Sequence, residues 1–403
     1  DRAAGGGLPV NLVLPLPAGA GEAPTLARDP DLWPGEGQRW VTEPRKQAPG
    51  LDALLVWAYE QGASRIAFQT GHPVWVRIHG RNRRATLGRL SEVELGDITN
   101  HLYGADGTAR LQGGFDFDVS YEVGLSRSRR LRFRLNATPI RAARREGANI
   151  VLRPIPDLPP SLAQQLVEPG ILAACFPERG MVIVSGGTGS GKSTLIAGMT
   201  VAKLADPEGH YNIQEAAAPV EFLLDRFPTA SSTMAQTEVP RDLPSFEAFI
   251  RGCMRREPTD IIVGECRDSA TMAASIHAAI SGHALTTTIH ADDVPLTMQR
   301  ITTLCPRDER DNLVASVAQS LRLVVNQRLL PSADGRRTAI REFLTFDAGL
   351  RTRLLRADPG AWPVITREAV DTQGQSFTAS IHSALEQGWI TEAVAARALK
   401  EIG

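Results

Sequence analysis

The sequence predicts an α/β protein: a mainly parallel sheet covered by helices, beside a smaller α+β domain. Three features carry this. From about residue 166 apolar strands alternate with helices, beginning with "GMVIVSG", a glycine loop and the helical "TLIAGMTVAKL". Upstream, residues 51–153 mix short alternating strands with helical stretches. The proline-rich "RPIPDLPPSLAQQL" separates the two patterns.

Taken in order, residues 1–50 are rich in Gly, Pro and Ala and read as a flexible arm. "LDALLVWAYEQGAS" has apolar residues at helical spacing and stops at a glycine. "RIAFQT", "VWVRIHG" and "FDFDVSYEV" alternate as strands, and "SEVELGDITNHLYG" reads as a helix. "RRLRFRLNATPI" and "NIVLRPIP" close this domain near residue 153, and 154–165 read as a linker. In the domain 166–345, "DIIVGE" and "LTTTIH" follow the first strand as further buried strands. Residues 346–403 are helical, ending in "SFTASIHSALEQGWITEAVAARAL".

The 403 residues, 42% apolar and 22% charged, suit a globular protein of two or three domains. A net charge of −1 gives no general attraction to nucleic acid or acidic membranes. Four scattered cysteines without a CxxC pair predict a reducing compartment and no thiolate zinc site. Neither a signal peptide nor an apolar run of membrane-spanning length is seen, and a cytoplasmic protein is expected.

The strongest local pattern is "GGTGSGKST", which fits G-x-x-x-x-G-K-[ST]. It comprises Gly186, Gly187, Thr188, Gly189, Ser190, Gly191, Lys192, Ser193 and Thr194. Glycines let successive backbone N–H groups turn toward a phosphate, and the following helix N-terminus adds its dipole. Lys192 is expected on the β- and γ-phosphates of ATP and Ser193 on Mg²⁺. A second strand, "DIIVGECRD", presents Glu265 at its end, to hold the magnesium shell or polarise water. A helix-capping carboxylate is the plainer alternative for that residue.

His283 and His290 bracket the third strand in "SGHALTTTIH". A zinc site would need further ligands, and only Asp292 and Asp293 lie nearby. Core or capping histidines remain open. So does an imidazole at the strand tip that donates to phosphate or water.

The order "GGTGSGKST", "APVEF", "GECRD", "SGHALTTTIH" resembles the secretion traffic ATPases of type II and type IV systems, which include the type IV pilus motors. The likeness spans residues 51–345, and "TEVPRDLPSF" and "RGCMRREPTD" are most similar to the type IVB (Dot/Icm and IncI conjugation) branch. The resemblance implies a hexamer with a PAS-like N-terminal domain and a RecA-like motor domain. It implies ATP and Mg²⁺ as ligands, both His283 and His290 at the nucleotide, and N-terminal-domain arginines on the phosphates. The matching residues are Arg132 and Arg134, with Arg153 next; Arg267 of GE-x-R-D is a further candidate. It also implies partner proteins of an inner-membrane machine, with peripheral association there and no direct nucleic-acid contact. One departure stands out. Aligning "IQEAAAPVEF" on Pro219 keeps Glu221 but sets Ala217 where the family has its catalytic-site glutamate. Either the loop is longer and Glu215 serves instead, or one acid is lost and turnover is slow. A RecA-like DNA translocase and an ATP-binding ring module with little hydrolysis are the competing functions.

Overall fold

A computed structural model describes residues 48–78, 81–86, 88–126, 130–142, 146–155, 158–225 and 227–402. The expected arm at 1–50 lies outside the described residues up to 47. The chain divides into two compact units, Asp1–Asp157 and Leu158–Gly403.

In the first unit α1 (Ala48–Glu60) leads into β1 (Ala63–Gln69), β2 (Trp75–Ile78) and β3 (Arg81–Arg84). Then come α2 (Glu92–Tyr103), α3 (Gly107–Gln112), β4 (Phe117–Gly124), β5 (Arg130–Arg141) and β6 (Glu146–Ile155). The strands form one antiparallel sheet in the order β3-β2-β1-β6-β5-β4. The closing strand β6 runs on to Ile155, past the expected start of the linker. Helix α2 starts where it does because Ser91 and Glu94 form a reciprocal capping box. Along β5 the side chains alternate. Leu131, Phe133 and Leu135 enter the core with Ile66, Phe68 and the apolar face of α1, which puts Arg132 and Arg134 on the other face.

The second unit opens with a turn and α4 (Pro169–Ala174), then β7 (Gly180–Ser185), α5 (Lys192–Leu204), β8 (Asn212–Ala217) and β9 (Thr233–Glu238). Next are α6 (Phe246–Cys253), β10 (Asp260–Val263), α7 (Ser269–Ile280), β11 (Ala284–Ile289), α8 (Val294–Leu304) and α9 (Arg310–Ser320). The chain ends with β12 (Leu321–Pro331), β13 (Arg337–Thr345), α10 (Ala348–Arg356), α11 (Trp362–Gln373), α12 (Phe377–Glu386) and α13 (Glu392–Ile402). The sheet order is β13-β12-β7-β11-β10-β8-β9; β13 is antiparallel to β12 and every other pairing is parallel.

Every residue of β7 and β10 is buried, as expected of parallel strands covered on both faces. Met181 and Ile183 join one core cluster, with α6–α9, while Val182 and Val184 join another against α5. The C-terminal helices belong to this unit. Leu350, Leu354, Trp362 and Val370 sit in the first cluster, and α12 and α13 close over Ile340 of β13. Parallel register fixes the functional edge. Ser185 pairs with Ile289, and Val263 with both Thr287 and Ala216, so the loops after β7, β11, β10 and β8 leave the sheet on the same side. That is the side where open α/β sheets bind ligands.

Candidate active site

The glycine loop joins β7 to α5. Gly186, Gly189 and Gly191 take φ values of 142°, 76° and 85°, which side-chain-bearing residues rarely adopt. A Cβ at Gly186 would come within 2.4 Å of the Gln327 carbonyl oxygen, so the loop can lie against β12 only without one. Gly187, Thr188 and Gly189 are exposed, whereas Ser190 and Lys192 are buried. Lys192 Nζ donates to the carbonyls of Gly186 and Gly187 (2.9 and 2.8 Å), which curls its side chain back over the loop. Burial holds its ammonium below the ordinary lysine range, and the carboxylates of Glu265 and Glu221 counteract this.

Glu265 follows β10 by two residues, and its neighbours are pinned on both sides. Gly264 N donates to Ala216 O (2.7 Å), Thr288 Oγ1 donates to Gly264 O (2.7 Å), and Cys266 N donates to Thr288 O (2.9 Å). Glu265 Oε1 lies 3.4 Å from His290 Nε2, and Oε2 lies 4.0 Å from Arg267 Nη1. Asp268, the last member of GE-x-R-D, caps α7 by accepting from Thr271 N (2.8 Å). A strand-end acid, an imidazole and an exposed guanidinium thus meet at the sheet edge beside the loop.

The altered acidic stretch has a definite geometry. Glu215 and Ala217 are two apart on β8 and therefore share a face. Both line a small cavity of about 40 Å³ with Ser193, Glu221 and Thr288. Glu215 reaches it without any lengthening of the loop, and Gln236 Nε2 donates to its Oε2 (2.5 Å). Gly264 lies against the β8 backbone here, since a Cβ on it would fall 2.9 Å from Ala217 Cα. The Ser193 hydroxyl and two carboxylates are hard oxygen donors, a set that fits Mg²⁺ bound together with phosphate oxygens. Among the described residues no cluster of three or more His, Cys, Asp or Glu could hold a metal alone.

His283 does not come to this site. It precedes β11, and its carbonyl accepts from Gly180 N at the start of β7, the opposite end of the sheet. Its Nδ1 lies 3.2 Å from Ala278 O at the end of α7. Six strand residues separate it from His290, about 20 Å of extended chain. Within this chain the two histidines therefore stand at opposite ends of β11, and only His290 lies at the sheet edge that carries the glycine loop.

Arg132, Arg134 and Arg153 belong to the first unit. Arg134 makes a forked pair with Asp118 (3.2 and 2.7 Å), and Arg132 Nε lies 3.3 Å from Glu122. Arg153 is exposed on β6, directly across the ladder from Arg134.

A second, larger cavity of about 710 Å³ opens on the other side of the start of α5. Its lining includes Gly191, Thr194, Gln327, Leu329, Arg337 and Trp389. Thr288, Gln327 and Arg341 were missed in the sequence. Gln327 offered one signal, a polar residue inside the apolar strand "LVVNQRLL".

Residues 118–375 match the family described as type II/IV secretion system protein. The chain belongs to that family. Among solved structures, that of the Legionella pneumophila ATPase DotB is 36% identical, covering 92% of this chain and 99% of its own, with a TM-score of 0.83. The ADP-bound pilus retraction motor PilT is 26% identical over 86% of this chain and 96% of its own, with a TM-score of 0.72. The type IV pilus retraction ATPase PilT of Pseudomonas aeruginosa is 29% identical over 312 residues, 76% of this chain and 86% of the relative. The phosphate loop between its strand and helix, in a chain of this family, makes the enzyme class a P-loop ATPase.

Proposed function

We propose that this chain is the ATP-driven motor of a type IVB-like secretion or conjugative transfer apparatus, acting as a hexamer. The observation that carries the reading is the convergence of the glycine loop, Glu265 and His290 on one sheet edge in a chain 36% identical to the ATPase DotB. The first unit is read as PAS-like and the second as RecA-like. Lys192 and the loop amides would hold the phosphates, and Ser193 with Glu265 or Glu215 would hold the Mg²⁺ shell, which supplies charge neutralisation at the phosphates. Glu265 and His290 would orient water, and the larger cavity beside Thr194 has room for the nucleoside. Arg267, Arg132, Arg134 and Arg153 are the candidates for further phosphate contacts. No described helix is long and apolar enough to cross a membrane, so attachment to the inner-membrane machine would run through partner proteins.

Ala217 supports a second reading, a ring module that binds ATP and hydrolyses little. The test is ATP turnover per subunit against protein concentration, with Glu265→Gln alongside and particle mass measured in the same samples. Turnover that rises as hexamers form and is lost in the variant is expected. Hexamers that bind ATP without turnover would favour the ring module, and monomers at every concentration would refute the motor.

A further inference from the structure

Three separate stretches of the second unit meet at one buried guanidinium, and a fourth bonds its residue's backbone. Arg341, on β13, is 1% exposed. Its Nε donates to Gln327 Oε1 (2.7 Å), Nη1 to Leu166 O (3.1 Å) and Glu168 Oε2 (3.0 Å), and Nη2 to Gln165 O (3.0 Å). Gln375, after α11, donates to Glu168 Oε1 (3.2 Å) and to Arg341 O (3.0 Å). Gln327, on β12 and also buried, carries the contact onward: its Nε2 donates to Ser190 O within the glycine loop (2.7 Å).

The chemistry of these groups leaves little freedom. A guanidinium only donates, so it claims Oε1 of the Gln327 amide and turns Nε2 toward the loop. The loop rests on the same residue at Gly186 and Gly191, where an added Cβ would come within 2.4 Å of Gln327 O and 2.8 Å of its Nε2. On the far side, Leu166 has φ of 52°, a left-handed backbone unfavourable for leucine, and its carbonyl is one that Arg341 holds. Gln165 Nε2 also donates to Thr194 O (3.1 Å), so the turn touches the start of α5 directly.

We propose that Arg341 and Gln327 are positioning residues: they set the glycine loop for the nucleotide phosphates and tie its shape to the turn at 161–168, where the chain passes into the second unit. The inference rests on reading the loop as the ATP site. Loosening the turn frees Arg341, lets the Gln327 amide rotate and releases the Ser190 carbonyl. By reciprocity, a nucleotide that holds the loop also holds the turn.

The test compares the full-length parent with Gln327→Glu and Arg341→Lys, measuring fluorescent ATP-analogue affinity, steady-state KM and kcat, thermal midpoint and amide hydrogen exchange at 161–168. Gln327→Glu keeps an acceptor for Arg341 but sets a carboxylate oxygen against Ser190 O. Nucleotide Kd and KM should rise about tenfold, more than any shift of its midpoint accounts for, the loss falling on KM rather than kcat. Arg341→Lys keeps a charge for Glu168 but lacks the fork, and should shift affinity in the same direction. ATP should slow exchange at 161–168 in the parent and no longer do so in either variant. Parent-like affinity in Gln327→Glu, or losses that only track the melting midpoint, would overturn the inference alone. A parent that binds no ATP would overturn the ATPase reading and this inference with it.

Discussion

The substitution Glu215→Gln isolates the question that Ala217 raises. Glu215 sits two residues, about 6.6 Å of strand, upstream of the family's acidic position, yet on the same face of β8 and beside the same cavity as Ser193. Glu215→Gln keeps an oxygen that accepts from Gln236, so folding should be nearly unaffected. What disappears is the charge and the basic oxygen. A positioned general base is worth about 10²–10⁴ in rate, or about 2.7–5.5 kcal/mol of barrier. Because Glu215 is half-buried rather than sealed from water, the lower end applies, and kcat should fall about 100-fold. The assay is phosphate release per subunit at saturating ATP, with nucleotide affinity measured on the same preparation. ATP affinity should fall far less than kcat. A Glu215→Gln enzyme within about threefold of the parent, beside a dead Glu265→Gln, would refute the substitution of one acid for the other.

Two further outcomes are expected. Lys192 must be charged to hold phosphate, and burial lowers its pKa while Glu265 and Glu221 raise it. ATP affinity should therefore fall as pH rises through a value below the ordinary 10.5, and Glu221→Gln should move that alkaline limb to lower pH; an unmoved limb would remove Glu221 from the lysine's surroundings. Trp362 is buried in the motor core and bonds Leu354 O through its indole N–H (3.1 Å), so Trp362→Ala should destabilise the whole second unit by about 3–5 kcal/mol in denaturant melts. A separate early transition of the C-terminal helices would contradict that packing.

What could be read in the sequence was local. The glycine loop with its buried strand and helix, and Glu265 at the end of a later buried strand, are contiguous patterns, whereas β8 and β9 between them were not read as strands. The place of Glu215 depended on the pleat of β8 against β10, which a gapless string does not display. His283 illustrates the converse: seven residues look close in text, but a strand makes them the two ends of a rod. The helices after residue 345 were legible as helices, yet an amphipathic stripe does not name the surface it covers, and α10 and α11 turned out to complete the motor core. Arg341 was invisible for the same reason, since its partner Gln165 lies 176 residues away.

The ladder that sets Arg134 opposite Arg153 has a consequence of its own. Two like charges face each other across one antiparallel step, an arrangement that opposes pairing rather than favouring it. Asp118 restrains only one of them. The fork to Asp118 offsets one of the two charges, and the exposed guanidinium of Arg153 carries the other to the surface of the ribbon.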